Sequence, residues 1–220
     1  MPKETFFNLN DDKQNLIYEI ALKEFAINDY NSASINSIVK KADISKGSMY
    51  QYFDNKNDLY MYLLNTASEK KLNYIRDNIS GEDKSFFEMI KEIHLVGAKF
   101  DLTHPKYSKM IINAMNENII EGIGDISFQL KNKSDDFFEN YIIKGQQQNN
   151  IRNDIDSSFL SFLISRTSIS LIDFISKTYN FSYRELINEN KKEMPIEENE
   201  LEEILEDYIS VLKKGIKIYN

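Results

Sequence analysis

Helix breakers are almost missing from this chain, with 3 prolines and 7 glycines spread over 220 residues. A proline inside a helix costs about 3 kcal/mol and a glycine about 1 kcal/mol, so the long stretches between them can coil without interruption. A sandwich or barrel asks for a turn signal about every 8 to 12 residues, which this sequence does not supply. Apolar side chains instead recur at three- and four-residue spacing. The chain is 41% hydrophobic and 28% charged, which is enough to bury a core and excludes global disorder. The expected fold is all-α.

The periodicity sets out the elements in order. Leu16, Ile17, Ile20, Ala21, Leu22 and Phe25 predict a helix from Lys13 to Asn28, with Asp11 or Asp12 as its N-cap. Ser34 caps a short helix that buries Ile35, Ile38, Val39 and Ala42, and Asp43-Ile44 breaks it. Ser45 then caps a third helix, SKGSMYQYF, with Met49 and Phe53 facing inward, and a longer helix starts at Lys56. Beyond the break at Ser80-Gly81, helices are expected at Asp83 to Leu102, Lys106 to Ile120, Ile126 to Gln148, Asp156 to Tyr179 and Glu200 to Ile218. A short one is expected between Phe181 and Pro195. Two blocks result: a small domain over 1–56 and a larger helical domain over 57–220.

Several classes of function find no support. There are no cysteines, hence no disulfide, thiolate metal site or cysteine nucleophile. His94 and His104 lack ligand spacing, Asp154 and Asp156 stand where carboxylates cap helices, and EGIGD from Glu121 to Asp125 is too short for a phosphate cradle. No catalytic residue, metal or cofactor is expected, and the protein is not expected to be an enzyme. The start, MPKETFFNLNDDKQ, lacks a leader pattern, and apolar runs such as Phe162-Leu163-Ile164 are too short to span a bilayer. A cytoplasmic protein with no membrane partner is expected. The net charge of −8 argues at first against nucleic acid. Much of the acid, however, falls late, between Glu197 and Asp207, whereas Ser34 to Asn57 carries Lys40, Lys41, Lys46 and Lys56 against Asp43 and Asp54.

That basic stretch carries the chemistry. A short helix, a tight turn and a second short helix make a helix-turn-helix, whose second helix enters the major groove of DNA. Gly47 lets the backbone approach a duplex closely, and Lys46 and Ser48 reach base edges or phosphates. Tyr50, Tyr52 and Lys56 offer donors to phosphate oxygens, and Ser34 and Ser45 present capped helix starts. The run LIYEIALKEFAINDYNSASINSIVKKADISKGSMYQYFDNKNDLY resembles the TetR-family DNA-binding domain. The resemblance implies DNA-contact roles for Ser34, Lys46, Gly47, Ser48, Tyr50, Tyr52 and Lys56, and a core role for Ile38, Met49 and Phe53. Asp29 and Asp43 depart from it, standing where the family usually has glycine. Aspartate tolerates the left-handed conformation better than most residues, so both turns are expected to survive.

For the larger block the resemblance implies effector binding and dimerisation through the last two long helices, near 156–179 and 200–218. Broad apolar stripes agree: Leu201, Ile204, Leu205, Tyr208, Ile209, Leu212 and Ile216 on one helix, and Phe159, Phe162, Leu163, Ile169, Ile172 and Ile175 on the other. The candidate lining of an apolar effector pocket is Phe86, Met89, Ile90, Ile93 and Phe100 on one helix and Tyr107, Met110 and Ile111 on the next. Phe128, Phe137, Tyr141 and Phe162 follow from later helices, with His94 and Arg166 as polar anchors. The expectation is a homodimeric repressor of a palindromic double-stranded operator, released by a small hydrophobic effector. A DNA-binding adaptor controlled by a protein partner and an all-helical enzyme stay open as alternatives.

Overall fold

Caps decide where these helices begin. The Asn10 side chain accepts the Lys13 N–H at 2.8 Å, so the first long helix starts at Asp11. Asp11 and Asp12, expected as caps, stand instead in its first turn, where the positive end of the helix dipole favours them. Ser34 accepts from Ser37 N–H at 3.3 Å and Ser45 from Ser48 N–H at 2.9 Å, both as expected. Asp156 caps its helix through the Ser158 and Phe159 amides. Glu200 reaches back to the Glu197 N–H at 3.1 Å, which moves the start of the last helix ahead of Glu200.

The computed structural model describes residues 1–80, 84–189 and 193–217. Along them run α1 (Glu4–Phe7), α2 (Asp11–Ile27), α3 (Ile35–Lys41), α4 (Lys46–Tyr52), α5 (Lys56–Asn78) and α6 (Phe86–Thr103). Then follow α7 (Pro105–Asn116), α8 (Ile126–Gln147), α9 (Ser157–Thr178), α10 (Tyr183–Glu189) and α11 (Glu198–Ile216). The expected helix ends at Asp83 and Ile218, and Gly81 of the expected break, lie outside the described residues. Among the described residues the fold is all-α, relieved by a single extended bridge between Ile120 and Gly124.

That bridge shortens α7, which was expected to reach Ile120. Gly122 and Gly124 both take positive φ, 80° and 91°, and close a tight turn. A Cβ on Gly122 would lie 2.8 Å from Asn57 Nδ2, so a side chain is excluded there twice over. Asp43 does adopt the left-handed conformation at φ 50°, as its position after α3 required. Asp29 does not. Its carboxylate accepts the Ser32 N–H at 2.7 Å, and the chain turns through that side chain instead.

The helices sort into two compact units that do not follow chain order. The first comprises residues 1–72, 104–127 and 183–190, thus α1 to α4, most of α5, α7 and α10. Its core buries Ile17, Leu22, Phe25, Ile38, Met49, Phe53, Leu59, Tyr60 and Leu63, with α2 packed on α3, α7 and α10. Each aliphatic, methionine or phenylalanine side chain among them contributes about 1.5 to 3 kcal/mol by leaving water. The second unit comprises residues 73–103, 128–182 and 191–220. Its core joins Phe86, Phe87, Ile90 and Ile93 of α6 to Phe138 and Ile142 of α8, Leu160 and Ile164 of α9, and Ile209 and Ile216 of α11.

Candidate nucleic-acid interface

The α3–turn–α4 segment is held from behind by a buried carboxylate. Glu24 of α2, almost without solvent contact, accepts from Ser34 N–H at 3.2 Å, Ser37 Oγ at 2.8 Å and Lys41 Nζ at 2.9 Å. Burial alone would raise its pKa, but the bonds from Lys41, Ser37 and Ser34 outweigh it and hold the carboxyl below the ordinary glutamate value. The Ser34 N–H is turned inward to Glu24. Lys41, counted toward the basic patch, is tied to the same carboxylate. A glutamate among the apolar positions of α2, with Ser37 and Lys41 four apart on the next helix, was the signal available for this hub.

α4 presents its other candidates outward. Met49 and the capping Phe53 are buried, while Ser45, Lys46, Gly47, Tyr50 and Gln51 are exposed. The hydroxyls of Ser45 and Ser48 lie 2.8 Å apart, each engaged by the other. Tyr52 turns aside, its ring 6.0 Å from that of Phe6 in an edge contact. Lys56 rests over the Tyr30 ring at 4.6 Å and also bonds the Asn31 carbonyl. Burial against these rings lowers the pKa of its ammonium, while Asp29, Glu117 and Glu24 pull the other way. Gly47 has no structural need to be glycine: its φ is not positive, and an added Cβ would meet only Ser45 Oγ, at an ordinary 3.6 Å.

The last turn of α4 would leave carbonyls without partners. The short α1, which the sequence reading did not foresee, supplies donors. Lys3 N–H bonds Tyr52 O at 2.8 Å, Lys3 Nζ bonds Tyr50 O at 3.0 Å, and Thr5 Oγ1 donates to Gln51 O. Lys3 Nζ also pairs with Asp54 at 2.6 Å. On the opposite side of α2, Asn113 Nδ2 of α7 caps the helix end through Phe25 O at 3.0 Å and Ala26 O at 3.1 Å.

Residues 17–63, the span of the helix-turn-helix, match the family described as bacterial regulatory proteins, tetR family. The helix-turn-helix segment of this chain is of the TetR-family type. A TetR family transcriptional regulator of Chloroflexus aurantiacus superposes with a TM-score of 0.84 over 100% of both chains at 26% identity. Two uncharacterized HTH-type transcriptional regulators of Bacillus subtilis are also similar. YuxN is 35% identical over 123 residues, 56% of this chain and 36% of its own length. YhgD is 26% identical over 107 residues, 49% of this chain and 53% of its own. The matched stretch thus spans about a third and about half of these two relatives.

The candidate effector residues fall in different places. Phe86, Ile90, Ile93, His94 and Phe100 are buried in the second unit, and Met89, Phe137 and Tyr141 pack half-buried against the same core. Tyr107, Met110 and Ile111 belong to the first unit, on α7. Phe128 and Phe162 are exposed and line no interior. His94 bonds the Ile90 carbonyl through Nδ1 at 2.7 Å and Ser168 Oγ through Nε2 at 2.6 Å. Arg166 holds both oxygens of Asp135 at 2.9 Å. Both proposed polar anchors are therefore engaged within the chain.

On α9 the reading from short apolar runs needs correction. This helix is long and apolar enough to cross a bilayer by length and composition, a test that core helices also pass. Its buried Ser161 and Ser165, the Arg166–Asp135 pair and its share of the second core set one side of it inside the protein.

Proposed function

We propose that the chain is a homodimeric transcription regulator that binds a palindromic double-stranded operator through α4 and is released by a small apolar effector, acting as a repressor. The observation that carries the reading is an outward α4 surface of Lys46, Gly47, Tyr50 and Gln51 on a helix clamped at both ends. Dimerisation through α9 and α11 is supported by Phe159, Phe162, Leu163 and Phe174 standing exposed on α9, and Val211 on α11. Two recognition helices about 34 to 36 Å apart then meet successive major grooves.

The effector is apolar because His94 and Arg166 already spend their hydrogen bonds within the chain. It binds among α6, α8 and α9, and acts through α5, which carries residues of both units. Release requires that it bind one arrangement of α5 more tightly than the other. The site of action is the cytoplasm, where the operator lies. The test is anisotropy titration of duplexes enriched from a random pool, over a range of salt and with added apolar ligands. Salt-dependent, sequence-selective binding that an apolar ligand weakens is expected. Binding equal for all sequences, or unaffected by every ligand that the protein demonstrably binds, would count against it.

A further inference from the structure

Among the side chains α4 turns outward, one carries a hydrogen-bond donor and an acceptor side by side on a planar amide, and it lies outside the set expected from sequence. Helical residues advance by roughly 100° each, so positions two removed from Met49 point about 200° away from that buried side chain. Those positions are Gly47 and Gln51, four apart and adjacent on the outward face, both exposed. Lys46 and Tyr50 flank them nearer the core, and the Ser45 and Ser48 hydroxyls engage each other.

We propose that Gln51 is the residue that specifies the operator sequence, taking one adenine per half-site by paired hydrogen bonds in the major groove; the proposal rests on the DNA-binding reading above. Its amide offers a donor and an acceptor side by side. Adenine alone presents the complement on one base, N7 as acceptor and N6 as donor, whereas guanine presents two acceptors there. Room for the base comes from Gly47, whose missing side chain nothing inside the protein requires, since a Cβ there would make only ordinary contact. Aim comes from the backbone. The Gln51 carbonyl accepts from Thr5 and its neighbours Tyr50 and Tyr52 accept from Lys3, so the turn carrying Gln51 is fixed before DNA arrives.

The test compares duplex selection from a randomised pool by the wild-type protein and Gln51→Ala, with circular dichroism and the thermal midpoint checking that the exposed substitution leaves the fold alone. Wild type is expected to enrich an adenine at one position of each half-site, and Gln51→Ala to lose that preference while other positions keep theirs. Affinity of the variant for the selected operator falls on the order of tenfold or more. Replacing that adenine by 7-deazaadenine, which lacks the N7 acceptor, should weaken wild type roughly three- to tenfold and leave the variant's affinity as it was. A variant that enriches the wild-type consensus, or a lost preference for a base other than adenine, overturns the assignment with the DNA-binding reading intact. A wild-type protein that enriches nothing overturns both.

Discussion

Two residues of the DNA-binding unit show stability and function drawing on different parts of the sequence. Gly47 sits in a helix without needing to be glycine, so Gly47→Ala is expected to stabilise the protein by about 0.5 to 1 kcal/mol while weakening operator binding. Thermal unfolding and anisotropy titration on one sample check both halves. Glu24 works the other way, since it stabilises without facing DNA. Its folded pKa lies below the unfolded value, so its contribution is complete above pH about 4.5 and is lost as pH falls through the folded value. The stability gap between wild type and Glu24→Gln, about 1 to 3 kcal/mol at neutral pH, should hold from pH 7 to about 5.5 and shrink in acid. Water around the half-exposed Lys41 ammonium discounts its share of this gap, which it divides with the serine donors and the Asn28 amide. Urea titrations across that range settle the matter, and a gap that grew in acid would contradict the assignment.

At the scale of elements, α1 is a clamp rather than a frayed end. It closes over α4 with three hydrogen bonds to successive carbonyls and an ion pair, and buries Phe6 against Phe53 at a ring distance of 5.1 Å. Lys3→Met with Thr5→Val removes the two side-chain donors, each worth about 1 kcal/mol. Hydrogen exchange of the α4 amides should quicken on the order of tenfold, with α9 and α11 unchanged; equal acceleration everywhere would mean the clamp supports the whole fold instead. The long helices were legible from periodicity because each carries a repeating apolar stripe, and the short α3 and α4 from their serine caps and the buried positions behind them. α1 was not legible, since four residues with one buried phenylalanine make no period, and its partners lie about fifty positions further on. The end of α7 was misjudged for a related reason: Glu117 leaves the helix to accept the Tyr30 N–H at 2.5 Å, a bond across 87 positions.

For the whole molecule, the exposed α9 surface is the feature a single copy leaves unsatisfied. Phe162→Glu places a charge beside Phe159 and Leu163 and is expected to shift the protein to monomer by sedimentation, with operator affinity falling at least tenfold. A variant that stays dimeric would move the interface elsewhere. Periodicity, caps and the ordered residues from Leu16 to Tyr60 were sufficient for an all-helical chain, for the placing of α3 and α4, and for the likeness to a family of DNA-binding domains, because local propensity and short-range patterning are written in neighbouring residues. Which helices share a core was not so written. That α7 and α10 join the N-terminal helices, that Glu24 takes the Ser34 N–H, and that His94 and Arg166 are already engaged all depend on contacts between distant positions. Those contacts are selected by packing and hydrogen-bond satisfaction in three dimensions, to which spacing along the chain is blind.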